Sequence, residues 1–491
     1  MYIGLDIGTS GTKAANVSDD GNIIKISQRK YNFSKTASGF RELDPVEVWR
    51  AIEECLANVA SDDVKSITID SLGEGIVAVD SHANPLYGGI TGTDCRGNNE
   101  FKEIIQKVGK EKLISITGQC LSSIYSANKI VWLKKHEHDI YEKSYKILNF
   151  ADFAVFKLCG KAVTDESLAS RTMLYDIHTH CWSEELIQLL DIDFRKLADV
   201  AKAGTVVGSI RKDIADELGL PNHTNIIIGA HDHLCNAIGS ATCFEGDCTN
   251  TVGTTEGITA LVKSDKLNTD GIIQKNISFE PFVIPGIFNT IAWTNTSGAL
   301  LRWCTQQINI ESQDLNQVFD ELYRNMNLTP SSLLVLPHFS GAATPYMDDQ
   351  SKGAFIGLTL NTTRYDIFKA CIEGTNFEML QIIDIMNKNG FVVNKLTATG
   401  GACTSKLLQI KANVLGLQVN TVKESQSGVL GGAILGAVAD GCYPNIPTAI
   451  NNMVRMGNTY YPDQSTHKIY LEKYELYKEL YNSLKDINHQ I

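Results

Sequence analysis

The sequence predicts an α/β protein built from two similar halves. Three observations carry this. The chain opens on strand–turn–strand–turn–strand segments followed by a capped amphipathic helix. Strand-like and helix-like segments then alternate. Near residue 250 the opening pattern starts again.

Taken in order, Tyr2 to Ile7 is a short apolar strand, broken by the turn Gly8-Thr9-Ser10-Gly11-Thr12-Lys13. Ala14 to Val17 returns as a second strand. Ser18-Asp19-Asp20-Gly21-Asn22 turns the chain once more, and Ile23 to Ile26 resumes extended structure. The glycine turn matches neither GxxxxGK[ST] nor a GxGxxG that opens a helix. A helix follows: Asp44 caps it, Pro45 suits its first position, and Glu47 stands three residues after the cap. Trp49, Ile52, Leu56 and Val59 then recur at helical spacing. Val64 to Asp70 and Gly75 to Asp80 read as strands. Ile226-Ile227-Ile228 is a short buried strand leading into Gly229-Ala230-His231-Asp232-His233.

Asn250 to Ala260 echoes the opening: a strand, the turn Gly253-Thr254-Thr255, and a returning strand. Asn250 lies nearest to the place that Asp6 holds in the first half. The boundary is expected near 245, giving domains 1–245 and 246–491. Leu396 to Thr399 runs into Gly400-Gly401-Ala402 and a helix-like stretch, Ser405 to Leu415. A closing helix, Ile469 to Leu484, carries Tyr470, Tyr474, Tyr477 and Leu480 at helical spacing.

Composition narrows the function classes. With 491 residues, 43% hydrophobic and 20% charged, the chain is neither disordered, collagenous nor a coiled coil. Lys+Arg 44 against Asp+Glu 56 leaves a net charge of −12. Nothing global draws such a chain to nucleic acid or to anionic membranes, so neither is expected as a partner. An anionic ligand must be held by local backbone donors and a metal. Met1-Tyr2-Ile3-Gly4-Leu5-Asp6 has no secretory pattern. The longest nearly apolar stretch, Val429 to Ala439, falls short of the roughly 20 residues a membrane helix needs. The 12 cysteines form no CxxC pair, so reduced thiols and a cytoplasmic location are expected.

Several segments offer chemistry. Asp6 and the turn Gly8 to Lys13 place small residues, hydroxyls and a lysine where phosphate oxygens could be cradled, with a carboxylate for Mg²⁺. An ordinary Gly- and Thr-rich hairpin is the alternative. Gly253-Thr254-Thr255 reads as a second such turn. Gly400-Gly401-Ala402 opens a helix and lets a flat ring approach the backbone, or is a plain strand-to-helix turn. Asp232 follows a buried strand and suits a general base toward a hydroxyl; a structural cap is the alternative. In extended chain, neighbouring side chains alternate, so His231, Asp232 and His233 are not expected to face one pocket together. The His-x-His pair lacks a third ligand at zinc spacing. Glu74, Asp94 and Arg96 lie on glycine-rich turns suited to sugar hydroxyls, or are surface charges.

Together these segments resemble the FGGY family of carbohydrate kinases over nearly the whole chain. Asp6 to Lys13 is similar to the family's phosphate loop, and Lys129 with Trp132 to its Lys-x-x-Trp signature. Gly229-Ala230-His231-Asp232 sits where the family carries its catalytic aspartate. The stretch from His338 to Asp348, with Thr344-Pro345-Tyr346, then Gly353 to Leu358, is the most diagnostic. Ala398 to Ala402 and Gln409 to Gly416 complete the match.

The resemblance implies two actin-like (ribonuclease-H-like) domains with a cleft between them, ATP with Mg²⁺ as cofactors, and a small sugar or polyol substrate. It implies Asp232 as general base, with Asp6 and Asp232 near the metal. Thr9, Ser10 and Lys13 would face the γ-phosphate, and Gly253 and Thr254 the other phosphates. Gly298, Gly400, Gly401, Ala402 and Ser405 would line the nucleotide. Glu74, Asp94, Arg96, His231 and His233 fall on the sugar side. Family analogy allows a homodimer.

Departures concern the substrate. Gly73-Glu74-Gly75 stands where xylulose kinases carry Met-His-Gly and where glycerol kinases carry Arg-Glu. Gly92 replaces a common tryptophan, and Gly341-Ala342-Ala343 replaces Gly-Glu-Arg. Loss of that bulk is expected to leave room for a different or larger polyhydroxy substrate. The rival readings are an actin- or chaperone-like ATPase and a sugar-binding pseudokinase. Asp232 and the Thr344-Pro345-Tyr346 stretch count against the first; Asp6, Lys13 and Asp232 count against the second.

Overall fold

A computed structural model describes residues 1–36, 38–267, 276–308 and 314–491. It contains two compact units. The first unites Met1–Cys243 with Phe279–Asn289 and Gln426–Arg455; the second holds Phe244–Ser278, Thr290–Ser425 and Met456–Ile491. The chain leaves the first unit after Cys243 and returns to it twice, with Phe279–Asn289 and with Gln426–Arg455.

The first unit is organised by a six-stranded sheet, in the order Val206–Ser209, Asn225–His231, Ser66–Ser71, Tyr2–Ile7, Gly11–Val17 and Ile23–Lys30. Tyr2–Ile7 pairs antiparallel with Gly11–Val17 and parallel with Ser66–Ser71. The opening strands therefore form a meander, as their turns predict. Helix Pro45–Val59 starts at Asp44, whose side chain accepts from the Val46 amide at 2.9 Å. Its buried face, Val48, Ile52, Leu56 and Val59, joins Ile3, Leu5, Ile67 and Ile69 in the core.

The apolar stretch near Val429 is helix Ser427–Ala439, which packs on Tyr2–Ile7 and on helix Asp232–Gly239. Backbone meets backbone there. A methyl group at Gly4 would collide with the Val429 carbonyl, and one at Gly431 with the Cys235 carbonyl. Among the described residues no helix is long and apolar enough to cross a membrane.

The second unit repeats the central arrangement. Asp247–Val252 pairs antiparallel with Glu256–Lys263 and parallel with Lys395–Thr399, which pairs parallel with Gln418–Val422. The restart seen in the sequence is therefore a repeat of topology. Met456–Tyr460 closes one edge of this sheet.

The closing helix is longer than its periodicity suggests, Gln464–Asn488. Its tyrosines form a row of phenols, each donating to a carboxylate: Tyr470 to Glu373 at 2.9 Å, Tyr474 to Asp384 at 2.9 Å, Tyr477 to Glu378, and Tyr481 to Asp348 at 2.9 Å.

Candidate functional site

In the first unit the candidate carboxylates sit at the carboxyl ends of parallel strands, where open α/β sheets bind ligands. Asp6 is the register partner of Lys13 on one side and of Asp70 on the other. One row thus carries a carboxylate, a carboxylate and an ammonium. Lys13 also donates to Gln426 at 2.6 Å. Burial pushes Asp6 up to about 7, helped by Asp232 and opposed by Lys13. Asp70 is driven well above the usual carboxylate range by burial, then by Asp6 and Asp232. The Cys235 thiol and the Asp6 carboxyl stand beside the Asp70 carboxyl. The sequence gives no hint of this third carboxylate, because it lies inside a strand of ordinary β character.

Asp232 opens helix Asp232–Gly239, directly after strand Asn225–His231. The chain changes from strand to helix between 231 and 232, which overturns the alternation argument. One ligand atom each from His231, Asp232 and His233 lies within 4.8 Å of the others. The third member of the His-x-His pair is thus the aspartate between them. Among the described residues Asp232 Oδ1 is buried with no hydrogen-bond partner, and His231 Nε2 stands 3.3 Å from it; a carboxylate oxygen so placed suits a substrate hydroxyl or a hard cation. With Asp6 it fits the donor set that Mg²⁺ takes.

His231 is 4% exposed. Its Nδ1 lies 3.4 Å from Glu280 and its Nε2 lies 3.3 Å from Asp232. Burial alone would lower its pKa, but Glu280 and Asp232 outweigh it and the net direction is upward. His233 goes the other way, lowered chiefly by burial.

Glu74 is held by Arg171, which follows the short helix Glu166–Ser170. The structure also explains Gly73 and Gly92. A Cβ at 73 would lie 2.8 Å from His231 Nε2 and 3.1 Å from Arg171 Cγ. One at 92 would lie 3.0 Å from Glu74 Cβ. At positions 73 and 92 the expectation of vacated room is corrected: His231, Arg171 and Glu74 stand where a side chain would begin.

Asp94 and Arg96 are engaged with each other. Arg96 Nε donates to Asp94 at 2.8 Å and Nη1 to Glu42 at 2.7 Å, and both acceptor and donor side chains of the 94–96 pair are fully buried. Burial would raise Asp94, but Arg96 outweighs it and holds it below the usual range. Phe40 and Trp132 flank the guanidinium at 4.7 and 5.3 Å. Lys129, buried on helix Ser126–His136, donates to the Asp94 and Arg96 carbonyls at 2.9 and 2.7 Å. Burial lowers its pKa to about 8. The Lys-x-x-Trp spacing thus puts two side chains of one helix face on one loop.

Thr9 and Ser10 stand exposed on the turn closed by Gly8 N–H donating to the Gly11 carbonyl at 3.0 Å. In the second unit, a cavity of about 720 Å³ is lined by Gly253, Thr254, Gly298, Gly401 and Ala402, the residues expected to hold phosphates and nucleotide. Phe319 and Tyr323 also line it, and sequence reading missed them. Gly400 and Ser405 are not in the lining; Thr404 is. A Cβ at Gly298 would lie 2.5 Å from the Gly253 carbonyl, so the first turn of helix Gly298–Ile308 presses on the turn Gly253-Thr254-Thr255. Glu256 anchors that turn from behind, paired with buried Lys411 and accepting from Asn250 at 3.1 Å and Ser297 at 2.8 Å. Asn250, at the place of Asp6, is therefore structural.

The chain is 27% identical to a xylulose kinase of Staphylococcus xylosus, covering 98% of this chain and 99% of that one. A xylulose kinase structure from Lactobacillus acidophilus superposes with a TM-score of 0.90 at 24% identity, covering 99% of this chain and 98% of that one. A gluconate kinase structure from Lactobacillus acidophilus gives 0.89 at 24% identity, covering 98% of each. The N-terminal domain of the FGGY family of carbohydrate kinases matches residues 1–239, and the C-terminal domain of that family matches residues 248–439. The chain therefore belongs to the FGGY family of carbohydrate kinases, two-domain phosphotransferases of the actin-like fold.

Proposed function

We propose that this kinase transfers the γ-phosphoryl group of ATP to a primary hydroxyl of a small ketose, pentulose-like, or of a polyol. The observation that carries the reading is the Asp232 carboxylate at the end of a parallel strand, with Asp6 beside it and His231 Nε2 3.3 Å from its Oδ1. Asp232 accepts the hydroxyl proton as phosphoryl transfer proceeds. Glu74 accepts a second hydroxyl of the same substrate, and His233 contacts it beside Asp232. Asp94 and Arg96 shape the sugar side through the loop that Lys129 holds, since their own polar atoms are paired. Thr9, Ser10 and Lys13 orient the γ-phosphate; Gly253 and Thr254 hold the others; Gly298, Gly401 and Ala402 border the nucleotide, with Gly400 and Ser405 supporting that turn. Asp6 and Asp232 hold Mg²⁺, which offsets phosphate charge when bound.

The test is a coupled ADP-release assay across ketopentoses, ketohexoses, tetritols, glycerol and aldonates, with Asp232→Asn as blank. One ketose or polyol with a high kcat/KM, silent in the blank, is expected. An aldonate as the optimum, or equal rates in the blank, overturns the reading.

A further inference from the structure

Glu74 and Asp232 carry the proposed chemistry, yet neither stands alone. Arg171 pairs with Glu74, donates to Gln119 Oε1 at 3.2 Å, and has Nη1 3.9 Å from Glu280. Its guanidinium lies 5.0 Å from the Tyr125 ring centre, which fixes its plane. Glu280 is 2% exposed and receives contacts from several sides. Gln119 Nε2 donates to it at 3.5 Å and Asn289 Nδ2 at 3.4 Å, and His231 Nδ1 lies 3.4 Å away. His231 Nε2 then lies 3.3 Å from Asp232. The result is a continuous chain: Glu74, Arg171, Glu280, His231, Asp232. Gly73 is part of the same arrangement, because any side chain there would meet both His231 and Arg171.

Buried charges of this kind contribute less to stability than apolar packing of the same volume. Their position beside two functional carboxylates gives them another use. A general base acts only if the right oxygen faces the hydroxyl, and side chains fixed by charged neighbours hold such an oxygen in place. We propose that Glu280 and Arg171 are positioning residues for phosphoryl transfer. Glu280 fixes His231, and His231 fixes Asp232. Arg171 fixes Glu74, and so the substrate hydroxyl that Glu74 accepts. The inference rests on the roles given to Asp232 and Glu74 under the proposed function.

The test is steady-state kinetics on the best substrate of the panel, as two double-variant cycles. Glu280→Gln is expected to lower kcat about tenfold or more while the sugar KM stays within about threefold, and to cost nothing further in a His231→Asn background. Arg171→Gln is expected to raise the sugar KM about tenfold, and to cost nothing further beside Glu74→Gln. Wild-type kcat in Glu280→Gln, or additive losses in either cycle, overturns the proposal. If Glu280→Gln does not fold, the Arg171 cycle decides alone. If the wild-type protein phosphorylates no member of the panel, the functional reading falls first and takes this one with it.

Discussion

Asp6 and Asp70 are register partners on neighbouring parallel strands, two carboxylates side by side in the interior of one sheet. Both are raised, Asp6 to about 7 and Asp70 well above the usual range, in each case by burial first. In the unfolded chain both would release their protons near pH 4. The folded state therefore holds protons that the unfolded state has lost. Its stability falls as pH climbs from about 4 through the folded values, by up to about 1.4 kcal/mol per pH unit for each group. Asp70→Asn removes one such group and is expected to gain stability over wild type, by a margin that widens from pH 5 to pH 8. Urea unfolding in EDTA across that range measures it. A margin independent of pH would show that Asp70 is not raised.

Asp232→Asn keeps the shape of the strand-to-helix junction but cannot accept a proton. Its kcat is expected to drop by about 10²-fold or more, with nucleotide affinity unchanged. Isothermal titration with ADP, beside the kinetic assay, separates the two effects. Loss of both together would point to a folding defect.

Lys129→Met leaves three backbone carbonyls without their donor, those of Asp94, Arg96 and Ser123. The loop they belong to should loosen. Sugar KM is expected to rise several-fold with little change in nucleotide KM, if the loop serves the sugar as proposed above. A change confined to nucleotide KM would refute that assignment.

Gly298→Ala pushes a methyl group against the Gly253 carbonyl. The phosphate turn must shift, so nucleotide KM is expected to rise about tenfold while sugar KM holds. Parallel titrations of both substrates would reveal it. An unchanged nucleotide KM would place the phosphates elsewhere.

Much of this layout was legible in the residues. The hairpin opening, the helix at Pro45, the restart near Asn250 and helix Ser405–Leu415 all follow from local turn chemistry and periodicity, which act over a few neighbours. Asp6, Lys13 and Asp232 stood out because they flank glycine turns or end apolar strands. What stayed hidden depends on contacts between residues far apart in the chain. Glu280 reaches His231 from 49 positions away, and Arg171 reaches Glu74 from 97. The change from strand to helix at His231 was invisible too, because nothing local marks it. Gly73 and Gly92 suggested empty room when read as missing bulk; they are small because other side chains come in.

The seating of helix Ser427–Ala439 on strand Tyr2–Ile7 also governs how this protein is made and dissected. Strand Tyr2–Ile7 meets this helix only after more than four hundred further residues are synthesised. Until then Gly4 and the backbone around it lack the helix that lies against them. A fragment ending at Cys243 would keep Glu74 and Asp232 and lose that cover, leaving it prone to aggregate. Expression of the first unit alone therefore calls for a rejoined chain that carries both Phe279–Asn289 and Gln426–Arg455 with it.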